Sequence, residues 1–259
     1  MDMSVGVVIP TFDRVELTIR AVTSVLSQTH KASQILVVDD GSSESSLEQL
    51  AQALKDLPVN LVSIPHSGNP GLVRKVGISH LQTRFVSFLD SDDFWLPTKL
   101  ELQLKILITQ KARAVCSNAW VKDNVGMQRM YFTERKKRIT FNKLIFSNTI
   151  ICSTTLVERD LINKCGGFAD AVSVQGAEDY ATWLRVALEE EWVYIEEPLI
   201  AYSVESIDHF SHGPHRLPEL QALIDLAVWR RTESGKFPKL FQIALKFLRL
   251  SLLDYGKKR

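Results

Sequence analysis

The sequence predicts an α/β protein built on a mainly parallel, doubly wound sheet, and three observations carry that expectation. Short β-prone apolar runs alternate with segments of helical periodicity across residues 5–110. The fourth such run, "RFVSFLD" (84–90), has a continuous apolar side, as expected of a strand covered on both faces. Acidic residues gather directly after three of the runs, and open parallel sheets bind ligands beyond the carboxyl ends of their strands.

Taken in order, "VGVVIP" (5–10) reads as a strand ended by Pro10, and "RVELTIRAVTSVLSQ" (14–28) as a helix with Val15, Ile19, Val22 and Leu26 at helical spacing. "QILVVDDGSS" (34–43) repeats the strand and ends in turn residues, "LEQLAQALKDL" (47–57) is helical, and "VNLVSIP" (59–65) is a third strand. "GNPGLVRKVGISHL" is a glycine-punctuated loop entering a helix that leads to the fourth strand. In "PTKLELQLKILITQ" (97–110), Pro97 suits the first helical position, and Leu100, Leu104 and Leu107 form the buried stripe. The second half is less regular. "RAVCSNAW" (113–120) and "TIICSTTLVE" (149–158) read as strands on either side of a basic connector (129–146). "AEDYATWLRVALEEE" (177–191) is a helix with Tyr180, Leu184, Ala187 and Leu188 on one face, and "WVYIEEPLIAYSVE" returns as one or two strands. A polar stretch containing His209, His212 and His215 precedes two closing helices.

Composition narrows the function. With 259 residues, 45% of them apolar, the chain can bury one sizeable core with an appendage. A net charge of +1 leaves no excess of cations to neutralise nucleic-acid phosphates. Cys116, Cys152 and Cys165 lack any CxxC spacing, so they read as buried free thiols in a reducing compartment. The opening residues do not match a signal peptide and no apolar run is long enough to span a bilayer, so a cytoplasmic location is expected, with membrane contact at most peripheral.

The acidic clusters need an explanation, because crowded carboxylates repel one another unless water or a cation compensates them. Thr11 and Asp13 follow the first strand, Asp39 and Asp40 the second, and Asp90, Asp92 and Asp93 the fourth, in "FLDSDDFW". Mg2+ and Mn2+ prefer oxygen ligands and are commonly held by one or two carboxylates plus substrate phosphates, so an Asp-x-Asp at a strand end suits a nucleoside diphosphate bound through metal. An EF-hand register fails, because Trp95 stands where the sharp turn demands Gly. No GxGxxG occurs, which argues against hydride chemistry.

Five stretches, "VVIPTFDR", "LVVDDGSS", "GNPGLVRKVGI", "FLDSDDFWLPTKLE" and "AEDYATWLR", in this order and at these separations, resemble the family-2 inverting glycosyltransferases over roughly residues 5–205. The resemblance implies a three-layer α/β/α GT-A fold spanning 1–210, with a nucleotide-sugar half (1–97), an acceptor half (98–210), and a helical appendage at 211–259. It implies a nucleotide diphosphate sugar as donor, UDP-sugar favoured, a saccharide or lipid-linked saccharide as acceptor, and Mg2+ or Mn2+ as cofactor. Pro10, Thr11, Asp13, Asp40, Arg74, Asp90, Ser91 and Asp92 fall in the donor pocket, with Asp40 accepting from the base. Lys75 stands where the family usually has Asn. The metal falls to Asp92 or Asp93, with His209 or His212 a candidate further ligand. Asp179 matches the catalytic base, with Glu178 beside it on the acceptor side; Trp183 and Trp95 would either border the acceptor or, as aromatics beside an apolar stripe more often do, join the core.

Chemistry agrees with these assignments. Inverting transfer is one in-line displacement, in which Arg74 and a cation would stabilise the departing diphosphate and a carboxylate would take the acceptor's proton. With the unperturbed Asp pKa of about 3.9, Asp179 would be ionised at neutral pH. "ERKKR" (134–138) would meet an anionic acceptor or stay solvated, and the helix in "KLFQIALKFLRLSLL" would lie on a membrane, pack on the catalytic domain or form a homodimer. Two rivals are a nucleotidyltransferase, which would need a glycine-rich basic loop where "PTFDR" stands, and a non-catalytic binding module on the same scaffold.

Overall fold

The computed structural model describes residues 2–122, 128–133, 137–203 and 217–234. Its strands are β1 (Val5–Thr11), β2 (Gln34–Asp39), β3 (Asn60–Ser63), β4 (Phe85–Phe88), β5 (Phe94–Trp95), β6 (Ala114–Lys122), β7 (Gln128–Met130), β8 (Arg138–Ile139), β9 (Leu156–Glu158) and β10 (Trp192–Tyr202). The helices are α1 (Val15–Leu26), α2 (Glu44–Leu54), α3 (Pro70–His80), α4 (Lys99–Thr109), α5 (Phe141–Leu144), α6 (Arg159–Lys164), α7 (Glu178–Glu189) and α8 (Leu217–Ser234).

One sheet joins both halves in the order β3-β2-β1-β4-β9-β6-β10-β5, with β7 added to β6 and β8 to β10. β1 pairs in parallel with β2 and β4, β2 with β3, and β6 with β10. β9 is antiparallel to both β4 and β6, and β5, β7 and β8 are also antiparallel to their partners. The long strands therefore run parallel as the sequence suggests, with one reversed strand between them.

Alternation splits the core into two. Val5, Val7 and Ile9 of β1 face Ala21, Val22 and Leu104 of α1 and α4, whereas Val8 faces Val73 of α3 and the cluster that includes Trp183 of α7. Both faces of the sheet are covered, hence the three layers.

Several boundaries differ from the sequence reading. The buried face of α1 is Thr18, Ala21, Val22, Ser24 and Val25, one step around the helix from the expected stripe, because two hydroxyl residues turn inward to make hydrogen bonds. α4 starts at Lys99, so Pro97 lies ahead of the cap, where its carbonyl accepts from Thr29 N at 2.8 Å. Leu100, Leu104 and Leu107 are buried as expected. "TIICSTTLVE" is strand only at its end; Cys152–Thr154 is a 3-10 turn. Of the two closing helices, α8 is described. It is tied to α7 by the enclosed pair Arg185 Nη2 and Asp225 Oδ2 at 2.6 Å. All three cysteines are buried, and none of them forms a disulfide.

The histidines His209, His212 and His215, the stretch 134–136 and the segment 239–253 lie outside the described residues. No helix among the described residues is long and apolar enough to cross a membrane.

Candidate active site

The carboxyl ends of β1, β2 and β4 converge, and each brings its polar residues with it. Asp13 has φ of 49°, a left-handed conformation that Asp tolerates better than most residues. Its Oδ1 accepts from Ser43 N at 3.0 Å and Ser43 Oγ at 2.8 Å, which ties the loop after β1 to the one after β2. Thr11 is buried, its hydroxyl 2.6 Å from that of Thr18, and Pro10 faces Val38 in the strand pairing.

Asp39 is fully buried and accepts from Ser63 Oγ at 2.8 Å. Asp40 accepts from Ser67 N (2.9 Å) and Ser67 Oγ (2.7 Å) on Oδ1 and from Gly68 N (2.9 Å) on Oδ2. A carboxylate has about four lone-pair sites, so room remains for one more donor. Gly41 makes this crossing possible: at φ 73° a Cβ would lie 2.5 Å from His66 N. Beside it the exposed Phe12 ring stacks on His66, centroids 4.3 Å apart, a flat aromatic pair at the pocket rim that the charge-led sequence reading missed.

Arg74 comes from the middle of α3. That helix is started by Asn69, whose side chain accepts from Gly71 N (3.1 Å) and Leu72 N (3.2 Å), with Pro70 at its first turn. Gly71 lets α3 approach the segment before α7 closely, since a Cβ there would sit 2.1 Å from Ala169 O. As a result the buried Arg74 guanidinium spans both elements, with Nη2 at 2.6 Å from Asp90 Oδ1 and Nη1 at 3.4 Å from Glu178 Oε1. Phe168 lies under it, 5.2 Å from the guanidinium carbon to the ring centre. Lys75 points elsewhere and pairs with Asp170 at 2.9 Å.

The acidic loop is a tight turn, with Asp93 N donating to Asp90 O at 3.0 Å. Ser91 is buried within it. Asp92 pairs with Arg14 at 3.0 Å. Asp93 is fully enclosed and its Oδ1 accepts from Ser203 N at 3.0 Å, at the end of β10. Burial, then the charges of Asp90 and Asp92, push its carboxyl well above the usual range. Asp92 thus keeps some solvent access while Asp93 faces inward. Among the described residues no three His, Cys, Asp or Glu side chains gather into a metal cage. The oxygen-only donors of this loop nonetheless fit a hard cation whose remaining ligands come from phosphates.

Asp179 occupies the first turn of α7 with Oδ1 2.5 Å from Tyr180 N. Burial and then the neighbouring Glu178 raise its pKa to about 7, against the pull of Arg74. The expectation of an ordinary, fully ionised Asp is therefore corrected: at pH 7 the group sits near its midpoint. Glu178 is buried between Gly176 N (2.7 Å) and Arg74.

Of the two readings open for Trp183 and Trp95, the structure takes the core one, and neither borders an acceptor. Trp183 is fully buried among Phe88, Phe168 and Trp192, and Trp95 is 1% exposed with Nε1 donating to Ser153 O at 2.9 Å. Both are core because helices cover these positions on both sides of the sheet. An aromatic surface lies instead at Tyr131, which meets Tyr202 edge-on at 5.6 Å. Burial and then the charge of Asp179 raise the pKa of Tyr131. Cys152, the buried thiol expected from sequence, lies close to Arg74 and Asp90, where burial pushes its pKa up. Apolar position in a β-prone run was its only sequence signal.

Comparison with known proteins adds the following. The family model described as Glycosyl transferase family 2 matches residues 6–166. The chain is 26% identical over 185 residues to the Escherichia coli UDP-Glc:alpha-D-GlcNAc-diphosphoundecaprenol beta-1,3-glucosyltransferase WfgD, covering 71% of this chain and 70% of the relative. It is 26% identical over 183 residues to the putative teichuronic acid biosynthesis glycosyltransferase TuaG of Bacillus subtilis, covering 70% and 71%. Among solved structures, Staphylococcus aureus TarS 1–349 with UDP-GlcNAc superposes with a TM-score of 0.72 at 18% identity, over 94% of this chain and 69% of that one. The Pyrobaculum calidifontis mannosyltransferase PcManGT with GDP-Man and Mn2+ gives 0.63 at 22% identity, over 96% and 70%.

Proposed function

The chain belongs to glycosyl transferase family 2 and has the GT-A fold of a glycosyltransferase, and from that premise we propose a specific reaction: metal-assisted transfer of a sugar, with inversion, from a UDP-sugar to a hydroxyl of a lipid-linked saccharide in envelope polysaccharide synthesis. The observation that carries the mechanism is Asp179, a carboxyl with a pKa of about 7 beside the Arg74–Asp90 pair at the ligand end of the sheet. General bases work best with a pKa near the operating pH, because the group is then both largely available and a strong enough proton acceptor.

In this reading the acceptor hydroxyl attacks the anomeric carbon on the face opposite the diphosphate. As the new C–O bond forms, the bond to the departing phosphate oxygen breaks, and Asp179 takes the hydroxyl proton. Arg74 holds a positive charge toward the leaving side, fixed by Asp90 and Glu178. Asp92 with Asp90 would hold Mg2+ or Mn2+, which when bound stabilises the charge gained by the diphosphate. Asp93 acts as the turn's internal anchor through Ser203. Asp40 and the Phe12–His66 pair receive the base. The names of the E. coli and B. subtilis relatives support the UDP donor and the envelope acceptor. A lipid carrier would bring the protein to the cytoplasmic face of a membrane as a peripheral partner.

Thermal shift with UDP, with and without Mn2+, tests the reading first. Metal-dependent stabilisation is expected, because a ligand that binds only the folded state shifts unfolding by mass action. No stabilisation by any nucleoside diphosphate would remove the donor assignment.

A further inference from the structure

Lys99 is a fully buried lysine and, among the described residues, has no carboxylate partner. Its Nζ instead reaches three oxygens: Ser87 Oγ (3.0 Å), Gln103 Oε1 (2.8 Å) and Thr155 O (3.3 Å). The Trp95 ring lies 3.9 Å away. Burial pulls its pKa well below the usual lysine value. Three acceptors nonetheless call for three N–H donors, which only the ammonium supplies, and the indole face favours the same charge.

What this cation gathers is the stretch Ser153–Thr155. Thr155 O accepts from Lys99 itself and from Ser87 Oγ. Thr154 O accepts from Gln103 Nε2 at 2.6 Å, and Gln103 is oriented by Lys99. Ser153 O accepts from the Trp95 indole, on which Lys99 rests. Three successive carbonyls are thus held by one buried group of side chains centred on Lys99. The turn then returns the constraint to the site, because Asp90 N donates to Ser153 Oγ at 3.0 Å and Asp90 in turn holds Arg74.

We propose that Lys99 is a positioning residue for the donor end of the site: it fixes the Ser153–Thr155 turn and, through the Ser153 hydroxyl, sets the backbone of Asp90. The proposal rests on the donor-binding reading above. An apolar side chain of similar length would fill the same space, but the three carbonyls would lose their common anchor and Asp90 its fixed height.

The test uses isothermal titration of UDP in the presence of MnCl2 on Lys99→Met, Ser153→Ala and the double variant, together with UDP-glucose hydrolysis. Each single variant is expected to weaken UDP–Mn2+ binding about tenfold, roughly 1.4 kcal/mol. KM for UDP-glucose rises with it, and any fall in kcat stays smaller than the rise in KM, since the base is untouched and only the Arg74–Asp90 side is displaced. The double variant is expected to lose no more than either single one, because both cut the same chain of contacts. Losses that multiply, or a KM left at the wild-type value in folded Lys99→Met, would overturn the inference. Should Lys99→Met not fold, Ser153→Ala decides alone, and wild-type affinity in it overturns the proposal. Failure of the wild-type protein to bind UDP would sink the donor reading instead.

Discussion

The acids at the ends of β1 and β2 and the acid at the start of α7 look alike as sequence, yet the structure treats them in opposite ways. Asp13 is exposed, and the amide and hydroxyl of Ser43 hold its carboxyl below the usual range. Asp40 receives three hydrogen bonds from the loop after β3. Asp179 has its own helix amide, a like-charged neighbour in Glu178, and a pKa raised to about 7. Donors already supplied make a carboxylate a joint between loops; donors withheld leave it with a proton affinity to spend. In the proposed reading, recognition falls to the stiffened rim of the first region and proton transfer to the buried carboxyl of the second.

The sharpest way to break this contrast is Asp179→Asn. Transfer should fall by about 10²–10⁴-fold, the usual contribution of a general base, while UDP–Mn2+ titration stays at the wild-type affinity. Near-normal turnover would end the assignment of the base. Next in size is Asp92→Ala, which should abolish the part of the UDP thermal shift that depends on Mn2+, about 2.7 kcal/mol of stabilisation at a hundredfold excess over Kd. Retention of that shift would move the cation to another residue. Asp40→Ala should act as loss of a joint: denaturant unfolding should show about 1–3 kcal/mol less stability, because the Ser67 and Gly68 donors lose their acceptor. An unchanged midpoint would erase the distinction between the two regions.

The last test concerns pH. With a folded pKa of about 7 above the ordinary value of 3.8, the native state binds the Asp179 proton more tightly than the unfolded chain does. Stability therefore falls as pH rises between those two values, and the penalty is complete above pH 7. Asp179→Asn should raise Tm at pH 8 and leave it nearly unchanged below pH 4, measured by calorimetry. Wild-type kcat/KM should rise through an acid limb near pH 7, opposite in direction to the stability.

Periodicity alone disclosed the alternating elements and the burial of Leu100, Leu104 and Leu107, because both follow from local spacing. The acidic strand ends were legible for the same reason, and "AED" announced a charged helix start. Contacts between distant segments were not. "TIICSTTLVE" has β-prone composition, but Ser153, Thr154 and Thr155 serve Asp90, Trp95, Gln103 and Lys99 instead, so tertiary demand displaced the strand. The apolar stripes beside Trp95 and Trp183 favoured the core, where both lie, whereas the pKa of Asp179 depends on Arg74, Asp90 and burial contributed by other elements.

The reversed strand β9 enters the sheet beside the end of β4, with Leu156 opposite Ser87, so the residues just ahead of it are delivered to the loop that follows β4. Lengthening or trimming the chain between Phe146 and Leu156 would therefore reshape the turn that holds Asp90 without touching the crossovers that build β1 to β4. In the proposed reading, editing that one segment would retune how Asp90 is held while the strand–helix crossovers of the first half stay as they are.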